Sequence, residues 1–442
     1  MIRPFQAAVR RLDSWLNLLT GVGGGLNKTA FQFRPSEDAY LDDGTLQHLY
    51  DLDGLAARIV DSTPKHALRR GFGVTTGNAT VDTALRGQLD TLDVNARTRF
   101  AWTWARLFGG GALLLGLDDG RDPADPVDLN ALRAVRYVVD LDRRELVPVA
   151  WDNDPSSARF GQPVHFLLQR AGAQAVDSRV IHVSRVIRFL GAETTRRRKQ
   201  ELRGWGDSVL SRVYGDLQQA RGGYAAVSTL LQDASQGVFK MKDLLLQVAS
   251  DSDDAFKRRM EMMDMARSVG RAILIDADSE SFERVETGTL TGLPDILDRF
   301  VLLVSAGCEI PVSILMGQSP AGLNATGASD IRSWYDAISA ERESMLRPRL
   351  EYLVRLLLRA KDGPCGGVEP AGWQVTFPSL WQPSPSEEAD LRAKQATVDV
   401  QYITAGVLTP EEVATSRFRP EGWSAETSVD LGAREEPPPE GS

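Results

Sequence analysis

The chain has 442 residues, 42% of them apolar and 25% charged, enough for a sizeable core and too many for one small domain. A formal net charge of −9 argues against tight wrapping of DNA, which needs at least a basic stripe to meet the phosphates. Two cysteines, Cys308 and Cys365, with no CxxC pair, argue against a disulfide framework or a structural zinc site and suit a reducing compartment.

The N-terminus spaces Phe5, Val9, Leu12, Leu16 and Leu19 as a helix, but charges interrupt them. This is neither a signal peptide nor a membrane span. Residues 21–25, GVGGG, form a hinge. Lys28-Thr29 follows, but Asn27 and Val22 stand where a phosphate loop needs glycine. Residues 46–65 read as a helix with Leu49, Leu52, Leu55, Ile59 and Val60 on one face and Pro64 near its end. A second helical region over 81–108 carries Leu85, Leu89, Leu92, Trp102, Trp104 and Leu107. Strand-like runs follow at 112–117, 137–139, 146–151, 163–169 and 180–189, with turn residues between them. The first half is therefore mixed α and β, with a meandering sheet rather than βαβ repeats.

From Trp205 the pattern changes. Residues 207–240 have helical spacing through Val209, Leu210, Val213, Leu217, Tyr224, Val227, Leu230 and Leu231, with a kink expected at Gly222-Gly223. At a rise of about 1.5 Å per residue such a helix is about 50 Å long. A shorter charged helix over 256–268 precedes a hairpin of 273–275 with 282–285. Helix returns over 293–315, disturbed at Pro311. After a loop over 317–329, a helix over 330–360 buries Ile331, Tyr335, Ile338, Met345, Leu346, Leu350, Leu353 and Leu357 and is kinked at Pro348. A Pro-rich stretch leads to a helix over 386–403. A short one follows Thr409-Pro410-Glu411-Glu412, where Thr caps and acids fill the first turn. The tail over 435–442 reads as disordered.

Chemistry-bearing residues are sparse. His48, His66, His165 and His182 have no metal spacing. His182-Val183-Ser184 is one HxS, and a two-histidine phosphoesterase needs a second HxS or HxT, which the sequence lacks. No G-x-S-x-G occurs. The acids Asp118, Asp119, Asp122, Asp125 and Asp128 miss the EF-hand spacing and read as a solvated turn. The basic run Arg196, Arg197, Arg198 and Lys199 could meet phosphate, pair with a neighbouring subunit, or be a solvated loop. The loop over 317–329 is small and uncharged. It is longer than ordinary helix connections, and it can touch a phosphate backbone lightly without clamping it.

Several ordered segments resemble the portal proteins of tailed bacteriophages and prophages. They are Leu55-Ala56-Ala57-Arg58-Ile59-Val60-Asp61 with Arg70-Gly71-Phe72, and Arg106-Leu107-Phe108-Gly109-Gly110-Gly111-Ala112. Next come His182-Val183-Ser184-Arg185-Val186-Ile187-Arg188-Phe189 and Trp205-Gly206-Asp207-Ser208-Val209. Last are Ile310-Pro311-Val312-Ser313-Ile314-Leu315-Met316-Gly317 and Ser319-Pro320-Ala321-Gly322-Leu323-Asn324-Ala325-Thr326-Gly327, closed by Asp330.

The resemblance implies an α+β portal fold. Residues 1–30 would be an N-terminal helix and linker, 31–205 the wing, 206–240 and 291–316 stem helices, and 241–290 the clip. It further assigns 317–329 as a tunnel loop, 330–384 as a return helix and strand, 385–434 as crown-like helices and 435–442 as tail. In the loop, Gly317, Gln318, Ser319, Gly322, Asn324, Thr326 and Ser329 would face DNA, and Lys257, Arg258 and Arg259 in the clip would dock the motor or neck. The family implies a homo-oligomeric ring, usually of twelve, in the virion at the capsid vertex and assembled in the host bacterial cytoplasm. Its expected partners are double-stranded DNA, the terminase large subunit, major capsid and scaffolding proteins and head–tail connectors, with no membrane, metal, cofactor or catalysis. The rivals are a phosphoesterase-type enzyme and a capsid or baseplate component without a DNA tunnel.

Overall fold

The computed structural model describes residues 40–169, 179–233, 237–241, 280–284, 292–317, 326–381 and 385–418. The chain forms two compact units, Met1–Pro378 and Ser379–Ser442.

The first unit opens with α1 (Asp43–Leu52) and α2 (Gly54–Ala67). The helix expected over 46–65 breaks at Asp53, whose carboxylate accepts from the amide of Leu55 at 3.0 Å and starts a new helix. After β1 (Gly73–Thr75) come α3 (Ala79–Thr91) and α4 (Val94–Phe108). The expected helix over 81–108 is broken too: Asp93 adopts a left-handed φ of 51° between the two segments.

Six strands follow: β2 (Gly110–Asp118), β3 (Ala134–Asp142), β4 (Leu146–Trp151), β5 (Pro163–Leu168), β6 (Arg179–His182) and β7 (Val186–Leu190). They form two antiparallel three-stranded sheets, ordered β3-β2-β7 and β4-β5-β6, in place of one meander. The run over 180–189 divides between them. A 3₁₀ turn, Val183–Arg185, carries the chain from β6 in one sheet to β7 in the other. A shared core of Leu114, Leu141, Leu146, Phe166, Ile181, Val186 and Trp205 joins the sheets. Helix α4 packs on β2 and β3. The approach is close enough that a Cβ on Gly111 would collide with the carbonyl of Ala101.

Next come α5 (Arg196–Glu201) and the long α6 (Val209–Asp233). The helix expected over 207–240 therefore stops earlier, and Lys240 lies in β8 (Gly237–Met241). Strand β9 (Glu280–Arg284) pairs antiparallel with β8, setting Phe282 opposite Phe239. The hairpin partner expected at 273–275, the helix expected over 256–268 and the tail over 435–442 lie outside the described residues.

Helix α7 (Leu293–Cys308) is followed by α8 (Val312–Met316), α9 (Thr326–Glu341), a π-helical turn (Arg342–Leu346), α10 (Arg347–Arg359) and β10 (Gln374–Thr376). The disturbance expected at Pro311 is a full break, with Glu309 left-handed at φ 57°. Near Pro348 the helix accommodates its strain in the π turn just before the proline. Strand β10 pairs with β1, tying the end of this unit to the segment that follows α2.

The second unit holds α11 (Pro385–Thr404) and α12 (Pro410–Arg417). Thr409 and Glu412 form a capping box at the start of α12. Arg417 grips Asp399 through two bonds of 3.1 Å, fastening α12 to α11. Among the described residues, no helix is long and apolar enough to cross a membrane.

Candidate functional site

The loop singled out in the sequence is delivered by helices whose anchoring is visible. Helices α6 and α7 run antiparallel and touch where glycine permits it. A Cβ on Gly223 would lie 2.5 Å from the Phe300 ring, and one on Gly307 would lie 2.9 Å from the Asp216 carboxylate. Val301 and Val304 are buried, whereas Ile296, Leu302 and Leu303 are about half exposed, at 52%, 48% and 43%.

At the lower end of α7, the hydroxyl of Ser305 donates to the carbonyl of Ile310 at 2.6 Å, holding the turn into α8. Gly317 ends α8 in the left-handed conformation, φ 75°, and its amide donates to Ser313. The Arg58 guanidinium of α2 lies against that glycine. Helix α9 begins at Thr326, four residues before the expected start at Asp330, so the connection is shorter than read. Gln318, Ser319, Gly322 and Asn324 lie outside the described residues. Thr326 belongs to the first turn of α9, and Ser329 is an exposed residue of that helix.

Both shoulders of the loop, α8 and α9, pack on α2. On α9, Trp334 and Tyr335 enclose His66, with ring centres 4.9 and 5.9 Å away. Burial, the first cause, and the cations Arg69, Lys65 and Arg58 push His66 below its ordinary value, so its neutral form is favoured. Arg106 of α4 donates to the carbonyls of Ile59 and Val60 on α2, each at 2.9 Å. Burial raises Glu341 at the end of α9, and the nearby Arg106 charge only partly opposes it. This buried junction of α2, α4, α7 and α9 was missed from sequence. Its signal in the sequence was Arg106 set among Trp102, Ala105, Leu107 and Phe108.

The basic run forms α5 and is not one uniform surface. Arg198 turns inward, pairs with Asp207 at 3.1 Å and Glu201 at 3.3 Å, and stacks 3.6 Å over Tyr40. Arg196, Arg197 and Lys199 are exposed. Lys257, Arg258 and Arg259 lie outside the described residues.

His182 and Ser184 are occupied by the turn between the sheets. His182 Nδ1 lies 2.9 Å from Ser184 Oγ and accepts from the Ser184 amide at 3.2 Å. Ser184 Oγ also accepts from the Val127 amide at 2.9 Å. Across the register His165 pairs with His182, and the sequence after it reads Phe166-Leu167, not HxS. Arg185 binds Asp119 by two buried bonds of 2.8 and 3.1 Å. Burial raises the Asp119 carboxyl, yet the bonds from Arg185 and from the Asp128 and Arg121 amides carry it below its ordinary value. The Asp-rich segment is thus a hydrogen-bonded turn around Arg185.

Residues 45–401 match the family model described as phage portal protein. The chain belongs to the phage portal protein family. This portal-family chain is 28% identical to "Anti-CBASS protein Acb1" of Caulobacter sp. (strain RHG1), over 86% of this chain and 61% of that one. It is 27% identical to a protein of the same name from Sphingomonas paeninsulae, over 94% of this chain and 65% of that one. It thus spans just under two thirds of the length of these two relatives. Among solved structures, a chain from the neck of an empty GTA particle computed with C6 symmetry superposes with a TM-score of 0.50. That match has 14% identity over 85% of this chain and 93% of that chain. The mixed helix-and-sheet architecture is therefore that of portal proteins.

Proposed function

We propose that this chain is the ring-forming portal subunit of a tailed phage or prophage. Its ring provides the channel for DNA packaging and ejection at the capsid vertex, and docks the terminase motor and head–tail connector. The observation that carries this beyond family membership is the α6–α7 pair. Helix α7 packs on α6 through Phe300 and Gly307, while Ile296, Leu302 and Leu303 around it stay about half exposed. Large apolar side chains left exposed on a helix need a partner, and in a closed ring the neighbouring copy supplies it. The loop beyond Gly317 then faces the axis, touching DNA with neutral amides and hydroxyls. Lys257, Arg258 and Arg259 belong to the docking clip. The net charge of −9 suits a conduit better than a binder.

The subunit acts without catalysis. The Acb1 relatives extend well past the part spanned here, and we assign the property in their name to that remaining length. A phosphoesterase reading needs a second HxS or HxT beside His182-Val183-Ser184, and in the existing one His182 Nδ1 is held by Ser184, whose Oγ also accepts from the Val127 amide.

Negative-stain microscopy of the purified chain tests the ring directly. Rings with an axial hole support the portal reading, and a compact monomer with phosphodiesterase activity overturns it. Deleting residues 319–326 should leave rings intact while impairing DNA packaging or retention. Normal packaging would refute the channel role of the loop.

A further inference from the structure

Strand β7 carries an arginine with no anion against it among the described residues. Arg188 stands opposite Ala112 in the β2–β7 ladder. Its guanidinium carbon lies 5.4 Å from the ring centre of Trp205 and 5.7 Å from that of Phe166. Both rings belong to the core between the sheets. Among the described residues its Nη1 is buried with no acceptor. Burial and two like charges, Arg159 and Arg349, bring this guanidinium down to about 10.

The neighbours differ in their commitments. Arg349 donates through Nε to the carbonyl of Arg188 at 2.6 Å and through Nη1 to that of Met345. Among the described residues Arg159 reaches the Pro163 carbonyl, at a long 3.4 Å, and its Nε is buried with no acceptor. The Trp205 indole N–H beside them is likewise buried without one. Three residues before Arg188, Arg185 has its buried Asp119. The same segment therefore pairs one arginine fully and leaves the next without an anion among the described residues. Buried donors rarely go without acceptors, and an unpaired buried cation is costly.

We propose that Arg188 and Arg159 form a receptor for one compact oxyanion, a carboxylate or phosphate, between the turn at 152–162 and strand β7. Charge-assisted bonds from the two guanidinium groups hold it. The recessed donors favour a free ion or a carboxylate on a side chain over the broad backbone of a duplex. The source is either dissolved phosphate or an acidic side chain of a neighbouring copy.

The test is thermal unfolding of the full chain in inorganic phosphate against chloride at equal ionic strength. The wild-type midpoint should climb with phosphate, as for a ligand that binds only the folded state. Arg188→Met should weaken that response at least tenfold, and Arg188→Lys should retain part of it. In chloride, Arg188→Met should be at least as stable as wild type, because it removes a buried charge. If Arg188 merely stacks on Trp205 and Phe166, Arg188→Met will be less stable in chloride and phosphate will act on both chains alike. That result overturns the proposal. Should Arg188→Met fail to fold, Arg159→Met carries the same comparison, and an unchanged phosphate response there overturns it.

Sedimentation velocity separates the sources. For a neighbour's carboxylate, Arg188→Met weakens self-association about tenfold, and phosphate competes with association in wild type. For a free ion, association is unchanged while the thermal response persists. This second arm rests on the ring reading. The thermal arm does not, so the two can fail separately.

Discussion

Arg342 donates through Nε to the backbone carbonyl of Ala67 at 2.7 Å and through Nη1 to that of Pro378 at 2.9 Å. Its side chain is almost wholly buried, and burial, the first cause, together with Arg69 and Arg70 brings it down to about 10. One residue of the π turn thus closes the last turn of α2 and holds the segment after β10. The helix that carries the loop's return is thereby fixed to the end of α2 and to the last residue of the first unit.

Replacing Arg342 with Met should remove about 2–4 kcal/mol of stability, because two carbonyls are left in the core without donors. Arg342→Lys should recover only part, since an ammonium cannot span both acceptors. Denaturant unfolding measures this. A change under about 0.5 kcal/mol for the Met variant would mean these contacts are incidental.

Glu341, one residue earlier, sets a pH dependence. Burial raises its carboxyl, Glu309 adds to the rise, and Arg106 opposes it. A carboxyl raised on folding holds its proton more tightly in the folded chain. Its contribution is whole below the ordinary 4.5 and is lost as pH climbs through the raised value. Glu341→Gln should therefore gain on wild type at about pH 7 and match it near pH 4 in thermal unfolding. A constant difference across that interval would remove Glu341 as the titrating group.

Much of this architecture was readable because apolar spacing reports burial, as with Leu350, Leu353 and Leu357 along α10. What escaped depends on single residues and distant partners. Asp53 and Asp93 break helices whose apolar periodicity runs straight across them. The crossing from one sheet to the other at Val183–Arg185 sits inside an unbroken apolar run. The pairing of β1 with β10 joins residues about three hundred positions apart, which local patterning cannot encode. The buried arginines were hidden for another reason: a sequence shows charge, but not whether an acceptor waits for it.

Gly223 should be intolerant of a side chain. A Cβ there would meet the Phe300 ring at 2.5 Å, and overpacking a helix contact typically costs about 1–3 kcal/mol. Gly223→Ala should destabilise the chain, although alanine is the better helix former by about 1 kcal/mol. Phe300→Leu in the same chain should relieve part of that loss. Additive effects in the double-mutant cycle would show that the two positions do not press on each other.

The exposed leucines of α7 yield the most direct test of assembly. Leu302 and Leu303 are 48% and 43% exposed, so a charge there meets water in the isolated subunit. Leu302→Glu and Leu303→Glu should each leave subunit stability within about 0.5 kcal/mol of wild type. In a ring the same charges would be buried against a neighbour without partners, at several kcal/mol per interface. Every interface of a closed ring carries the change, so the penalty multiplies around it. The expected outcome is a folded monomer with an unchanged unfolding midpoint and no rings in negative stain. Rings that persist in both variants would place the subunit contact elsewhere on the molecule. A monomer that unfolds would instead mean that α7 packs these leucines within its own chain.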